Sequence, residues 1–100
     1  MDTRQKLEAA LKEAMRSNDT MRKQVVRMVL SAVKLSEVEK GAALDEAGVI
    51  SVIQKEVKSR QEAMQDAQKA NRPDLAENAK TETAFLETFL PQQLTEEELD

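Results

Sequence analysis

Residues 21–35 read Met-Arg-Lys-Gln-Val-Val-Arg-Met-Val-Leu-Ser-Ala-Val-Lys-Leu. Met21, Val25, Met28, Ala32 and Leu35 alternate spacings of four and three, the repeat of a helix with an apolar face. Val26, Val29, Leu30 and Val33 widen that face, which predicts the most deeply buried helix of the fold. The helix starts at about residue 19, where Asn18 or Asp19 supplies a side-chain oxygen for the orphan amides of the first turn. It stops at about residue 40, because Gly41 accepts the left-handed backbone that closes a helix.

Three further helices are placed by the same rules. One runs over about 3–16, with Leu7, Ala10, Leu11, Ala14 and Met15 inward, and is broken by Ser17-Asn18-Asp19. Another runs over about 46–70. Asp45 caps it, and Val49, Val52, Ile53, Val57, Met64 and Ala67 line one face. Asn71-Arg72-Pro73 ends it, since a residue before proline avoids the helical region and proline suits the first turn of the next helix. The fourth runs over about 73–89, with Leu75, Ala79, Leu86 and Phe89 inward. Short connections make neighbouring helices antiparallel, so the expectation is an all-α, four-helix bundle-like domain.

The last ten residues carry a fifth helix start. Thr95 has the chemistry of an N-cap, with Glu98 three residues on and Leu94 and Leu99 at staple spacing. Glu96, Glu97 and Glu98 place negative charge at the positive end of a helix dipole. A helix beginning at 96 needs several turns to be stable. The reading is therefore a first domain over 1–94 and, over 95–100, the start of a second small helical domain.

Composition narrows function. The chain of 100 residues has no Cys, His, Trp or Tyr, two Gly, two Pro and only Phe85 and Phe89 as aromatics. Disulfides and thiol chemistry are excluded, and the commonest general base is missing. Zinc and carboxylate–histidine metal sites lose their nitrogen and sulfur ligands. No glycine-rich phosphate loop is present. No catalytic residue, cofactor or metal is therefore assigned. No apolar run reaches membrane-spanning length, and the expected location is the cytoplasm. The net charge of −4 is unevenly spread: nine Lys/Arg face six Asp/Glu over residues 1–40, whereas one Lys faces eight acids over 73–100.

Two constellations stand out. Lys23, Arg27 and Lys34 share a helical face to within about 40°, and Arg16 joins them if the helical phase carries across the break. Arg16, Lys23, Arg27 and Lys34 form either an ordinary solvated face or a surface that meets phosphates with salt-sensitive affinity. The second constellation is charge on apolar faces. Glu56 and Arg60 lie in phase with Ile53 and Met64, and Glu82 lies in phase with Ala79 and Leu86. An Arg60 held between Glu56 and Glu82 satisfies both helices, with Arg72 and Asp74 counted beside them. Its alternatives are a structural ion network and a ligand or partner site.

The segments Leu11–Met15, Val26–Lys34, Val52–Arg60, Asn71–Leu75 and Leu90–Leu94 resemble the YqeY proteins. Their domain is shared with the tail of GatB, a subunit of glutamine-dependent tRNA amidotransferase. Pro73 replaces a more variable residue of the Arg-x-Asp-Leu segment, a benign change at a helix start. The resemblance implies a front four-helix domain followed by a smaller helical one. It implies association with tRNA, or with amidotransferase or synthetase proteins, since the GatB tail helps hold the tRNA. It also brings an inherited label of carbon–nitrogen ligase activity with glutamine as amido donor, for which these residues supply no machinery. A protein–protein interaction domain without RNA contact is the alternative.

Overall fold

The computed structural model describes residues 2–91 and shows an all-α domain. Its helices are α1 (Thr3–Arg16), α2 (Thr20–Lys40), α3 (Glu46–Lys69) and α4 (Pro73–Glu87). The fifth helix start at 96 and the boundary at 94–95 lie outside the described residues. Most helix ends fall within a residue of the sequence reading. The exception is the end of α4, expected at 89. The amides of Thr88, Phe89 and Leu90 reach back only three residues, to Phe85, Leu86 and Glu87, so the chain tightens out of the α-helix after Glu87.

Local chemistry explains the boundaries. Asp2 accepts the Gln5 amide at 2.8 Å while the Gln5 side chain accepts the Asp2 amide at 3.0 Å, a reciprocal cap that starts α1. Asp19 accepts the Arg22 amide at 3.1 Å and Asp45 the Gly48 amide at 2.8 Å. Both Asn18 and Asn71 take a left-handed backbone, with φ of 60° and 59°. The amides that follow, of Asp19 and Arg72, each donate at 2.8 Å to a carbonyl five residues back, Ala14 and Ala67. Asparagine thus does at two helix ends what Gly41, with φ of 75°, does at the third.

The core is made by Leu7, Val25, Val26, Val29, Val33, Val49, Val52, Ile53, Val57, Phe85, Leu86 and Phe89. Phe85 and Phe89 meet edge to face with centroids 5.2 Å apart, and the Arg22 guanidinium lies 4.8 Å from the Phe85 centroid. Each fully buried Val, Leu or Ile contributes about 1.5–3 kcal/mol. Beyond Arg60 on α3 and before Glu82 on α4 the picture changes. There the α3–α4 hairpin buries only Ala67, Ala76 and Ala79, with Met64 half-buried.

The structure corrects several inward assignments. Met28 and Leu35 are 54% and 61% exposed, and Met15 and Leu75 are exposed as well. On α2 the four-and-three pattern contains two rows. Val25, Val26, Val29 and Val33 face the core, and Met28 and Leu35 lie about 120° around the helix. A helix apolar over so wide an arc has no periodicity that says which row turns inward. On α1 the inward Ala14 is buried as read and Met15 beside it is not, and on α4 the slip is one position, with Ala76 buried instead of Leu75. The largest set of buried residues belongs to α3, not α2: Val49, Val52, Ile53, Val57, Arg60 and Ala67.

Candidate functional site

The outward face of α2 is graded in chemistry. Measured around the helix from Met28, Leu35 lies about 20° away, Val38 about 80°, Arg27 about 100°, Lys34 about 120° and Lys23 about 140°. Met28 and Leu35 form one edge and the basic row the other, with Gln24, Ser31 and Val38 between them. Arg27 and Lys34 are exposed, Lys23 is half-buried, and Val38 is 70% exposed. Of five exposed large apolar side chains among the described residues, three stand on this one face.

The four basic residues of the sequence reading do not stay together. Arg16 closes α1 and turns to Glu13, with Nη2 2.6 Å from Oε2. That hydrogen bond raises the Arg16 pKa above its usual value. Lys23, Arg27 and Lys34 remain in a row on α2, and none of them makes an ion pair among the described residues. The acidic fourth helix therefore leaves their charge available.

Behind the apolar edge sits the second constellation. Arg60 is 8% exposed. Its Nη1 donates to Glu56 Oε1 at 2.7 Å and its Nε to Glu82 Oε1 at 2.9 Å. The remaining nitrogen, Nη2, lies 3.6 Å from the Met28 sulfur. The structure thus brings Glu56, Arg60 and Glu82 together and ties them to the outward face of α2. Arg72 and Asp74 form a separate exposed pair at 3.1 Å, and Arg72 holds the Asp74 carboxyl below its usual range.

Two carboxylates that sequence reasoning passed over fasten the opposite end of the domain. Glu46, in the first turn of α3, accepts the backbone amide of Thr3 at 2.9 Å and its hydroxyl. Thr3 is 2% exposed. Glu37 accepts the Leu44 amide at 2.8 Å and the Arg4 guanidinium. Both carboxyls are held below their usual range, Glu46 chiefly by the Thr3 hydroxyl and Glu37 chiefly by the Leu44 amide. Lone charges near loops give no periodic signal, so only the three-dimensional arrangement reveals these ties.

Among the described residues no helix is long and apolar enough to cross a membrane, and no group of three His, Cys, Asp or Glu could hold a metal ion. The chemistry available on α2 is binding: cations for an anionic surface, and apolar side chains for a dry contact.

The family model described as Yqey-like protein matches residues 4–100. Curated relatives are yeast proteins named altered inheritance of mitochondria protein 41, mitochondrial. That of Lachancea thermotolerans is 31% identical over 93 residues, covering 92% of this chain and 50% of its own length. That of Kluyveromyces lactis is 35% identical over 84 residues, covering 83% and 45%. That of Vanderwaltozyma polyspora is 32% identical over 85 residues, covering 84% and 46%. The chain spans about half the length of the curated relatives it matches. Their names correct the expectation of a cytoplasmic location, because these relatives are mitochondrial proteins. A cysteine-free composition suits any reducing compartment and never separated cytoplasm from organelle.

Proposed function

The chain belongs to the Yqey-like protein family, and from that premise we propose a non-catalytic helical accessory module that binds into tRNA-dependent amidotransferase machinery through the outward face of α2. One observation carries the reading: Lys23, Arg27 and Lys34 form a row of cations without carboxylate partners among the described residues. The resemblance to the tail of the GatB subunit supplies the neighbourhood. The non-catalytic half draws support from the chemistry already engaged. Glu56 and Glu82 are held by Arg60, Glu37 by Arg4 and Leu44, and Glu46 by Thr3. The sequence has no histidine or cysteine to act as base or nucleophile.

The test is co-elution of the chain with a purified glutamine-dependent tRNA amidotransferase, with and without tRNA, across a salt series. Co-elution at about 50 mM salt that fades by about 200 mM is expected, since contacts made by surface cations are salt-sensitive. Arg27→Glu removes it without unfolding the domain. No association with enzyme or tRNA at low salt overturns the reading. Transfer of amide nitrogen from glutamine by the chain alone overturns its non-catalytic half.

A further inference from the structure

We infer that the outward face of α2 is a docking strip for an acidic amphipathic helix of a protein partner. This rests on the reading of α2 as the working face and names the occupant. Single apolar side chains on a surface are ordinary, but a contiguous set marks a contact. Met28 at 54%, Leu35 at 61% and Val38 at 70% exposed lie within about 80° on one helix and span about 15 Å along it. Met21 and Ala32, both half-buried, continue the row toward the core.

The spacing favours a helix as occupant. Met28 and Leu35, seven residues apart, and Val38, three further on, are exposed along one side of α2, while Met21 and Ala32 fall on the same repeat but pack against the core. That exposed side is the seam along which two helices pack side by side. RNA has no use for such a seam, because phosphates and riboses gain nothing from a thioether, an isobutyl and an isopropyl group. The footing of the seam is firm. The Met28 sulfur lies 3.6 Å from Nη2 of the buried Arg60. That guanidinium is itself pinned by carboxylates from α3 and α4.

The charge favours an acidic occupant. Lys23, Arg27 and Lys34 run beside the exposed strip on its Val38 side, about 20–60° past Val38 around the helix, and present opposite charge to an acidic partner. They have no carboxylates among the described residues. A helix that lays leucines on the seam brings its own flank over this row, and glutamates there meet cations at helical spacing. A basic flank would place like charges together, so the row also sets specificity.

The probe is a stapled synthetic helix of three heptads, with leucine at the seam positions and glutamate on both flanks. Its twin carries lysine in place of every glutamate. Anisotropy of the fluorescein-labelled peptides gives affinity, and amide chemical shifts of the labelled protein give the footprint. We expect the acidic helix to bind at least about tenfold tighter than the basic twin, a difference of one decade in Kd. Shifts are confined to α2 between Met21 and Val38. Leu35→Glu, and separately the pair Arg27→Glu with Lys34→Glu, each weaken binding by about tenfold or more, with helicity unchanged. Several results overturn the inference. They are equal binding of the two peptides, a footprint on the α3–α4 hairpin, indifference to Leu35→Glu, and sedimentation showing that the protein pairs with itself through Leu35. Binding of tRNA that ignores Leu35→Glu but displaces the peptide also overturns it and makes the face an RNA surface. If the acidic helix fails while Arg27→Glu still abolishes co-elution with the amidotransferase, this inference falls and the proposed function stands.

Discussion

Arg60 offers the sharpest test of how this fold is held. Its guanidinium is buried against Glu56 at 2.7 Å and Glu82 at 2.9 Å, but those carboxylates keep 23% and 31% of their side-chain surface in water. Removing one member of a fully buried pair costs about 3–5 kcal/mol, because the charge left behind is unsolvated. Here the stranded carboxylates can hydrate, so the ionic part of the loss should come to about 1–2 kcal/mol. Arg60→Met keeps an unbranched apolar stem in the same space and should show that part alone. Arg60→Ala also gives up roughly two methylenes of burial at about 0.8 kcal/mol each, for a total of about 2.5–3.5 kcal/mol. Adding Glu56→Gln and Glu82→Gln to Arg60→Met should recover part of the deficit by removing two like charges. Urea denaturation followed by far-UV circular dichroism reports all three. If Arg60→Met unfolds at the same urea concentration as the parent, the ion network contributes nothing and the reasoning fails. If Arg60→Met and Arg60→Ala are equally destabilised, the stem has been overvalued.

Three further outcomes follow from the geometry. Glu37 and Glu46 sit below their usual pKa of 4.5 when folded, so their contribution is complete above that pH and drains away as pH falls through the depressed folded values; thermal melts should therefore drop between about pH 5 and pH 3, and Glu37→Gln with Glu46→Gln should flatten that slope. Gly41 has φ of 75° with nothing within 4 Å of an added Cβ, so Gly41→Ala should cost about 1 kcal/mol through backbone conformation alone, measurable by chemical denaturation. Leu86→Ala, at a side chain with 0% exposure, should cost about 2–5 kcal/mol, whereas Leu35→Ala should change stability by under about 0.5 kcal/mol; a large loss from Leu35→Ala would mean that this residue belongs to the core after all.

Much of the architecture was legible because it is written in punctuation. Gly41, Asp45, Asn71 and Pro73 each have one comfortable backbone role, and those roles set the helix ends. The pairing of Arg60 with Glu56 and Glu82 was also visible, since a charge in phase with a core face must find a partner on another helix. What periodicity left hidden was the orientation of α2. Its two apolar rows are both helical in spacing, and only the packing of α3 and α4 decides that the valines turn in while Met28 and Leu35 turn out. The ties of Thr3 to Glu46 and of Arg4 to Glu37 were hidden for another reason. They join residues 43 and 33 positions apart through one or two hydrogen bonds each, and no local pattern encodes such a distance.

The alanine-lined end of the α3–α4 hairpin has a dynamic consequence. Ala67, Ala76 and Ala79 let two helices approach closely, but each removes little apolar surface from water, so that arm owes its order mainly to its neighbours. Native-state hydrogen exchange should therefore find two cooperative units in this chain. Amides between Gln61 and Thr81 should exchange through small openings, while those of Val26, Val29, Ile53 and Leu86 wait for global unfolding. Arg60 and Glu82 stand at the border between the units. Cutting their link should let the opening spread inward, shortening the protection of Val57 and Phe85 before that of Val29 changes.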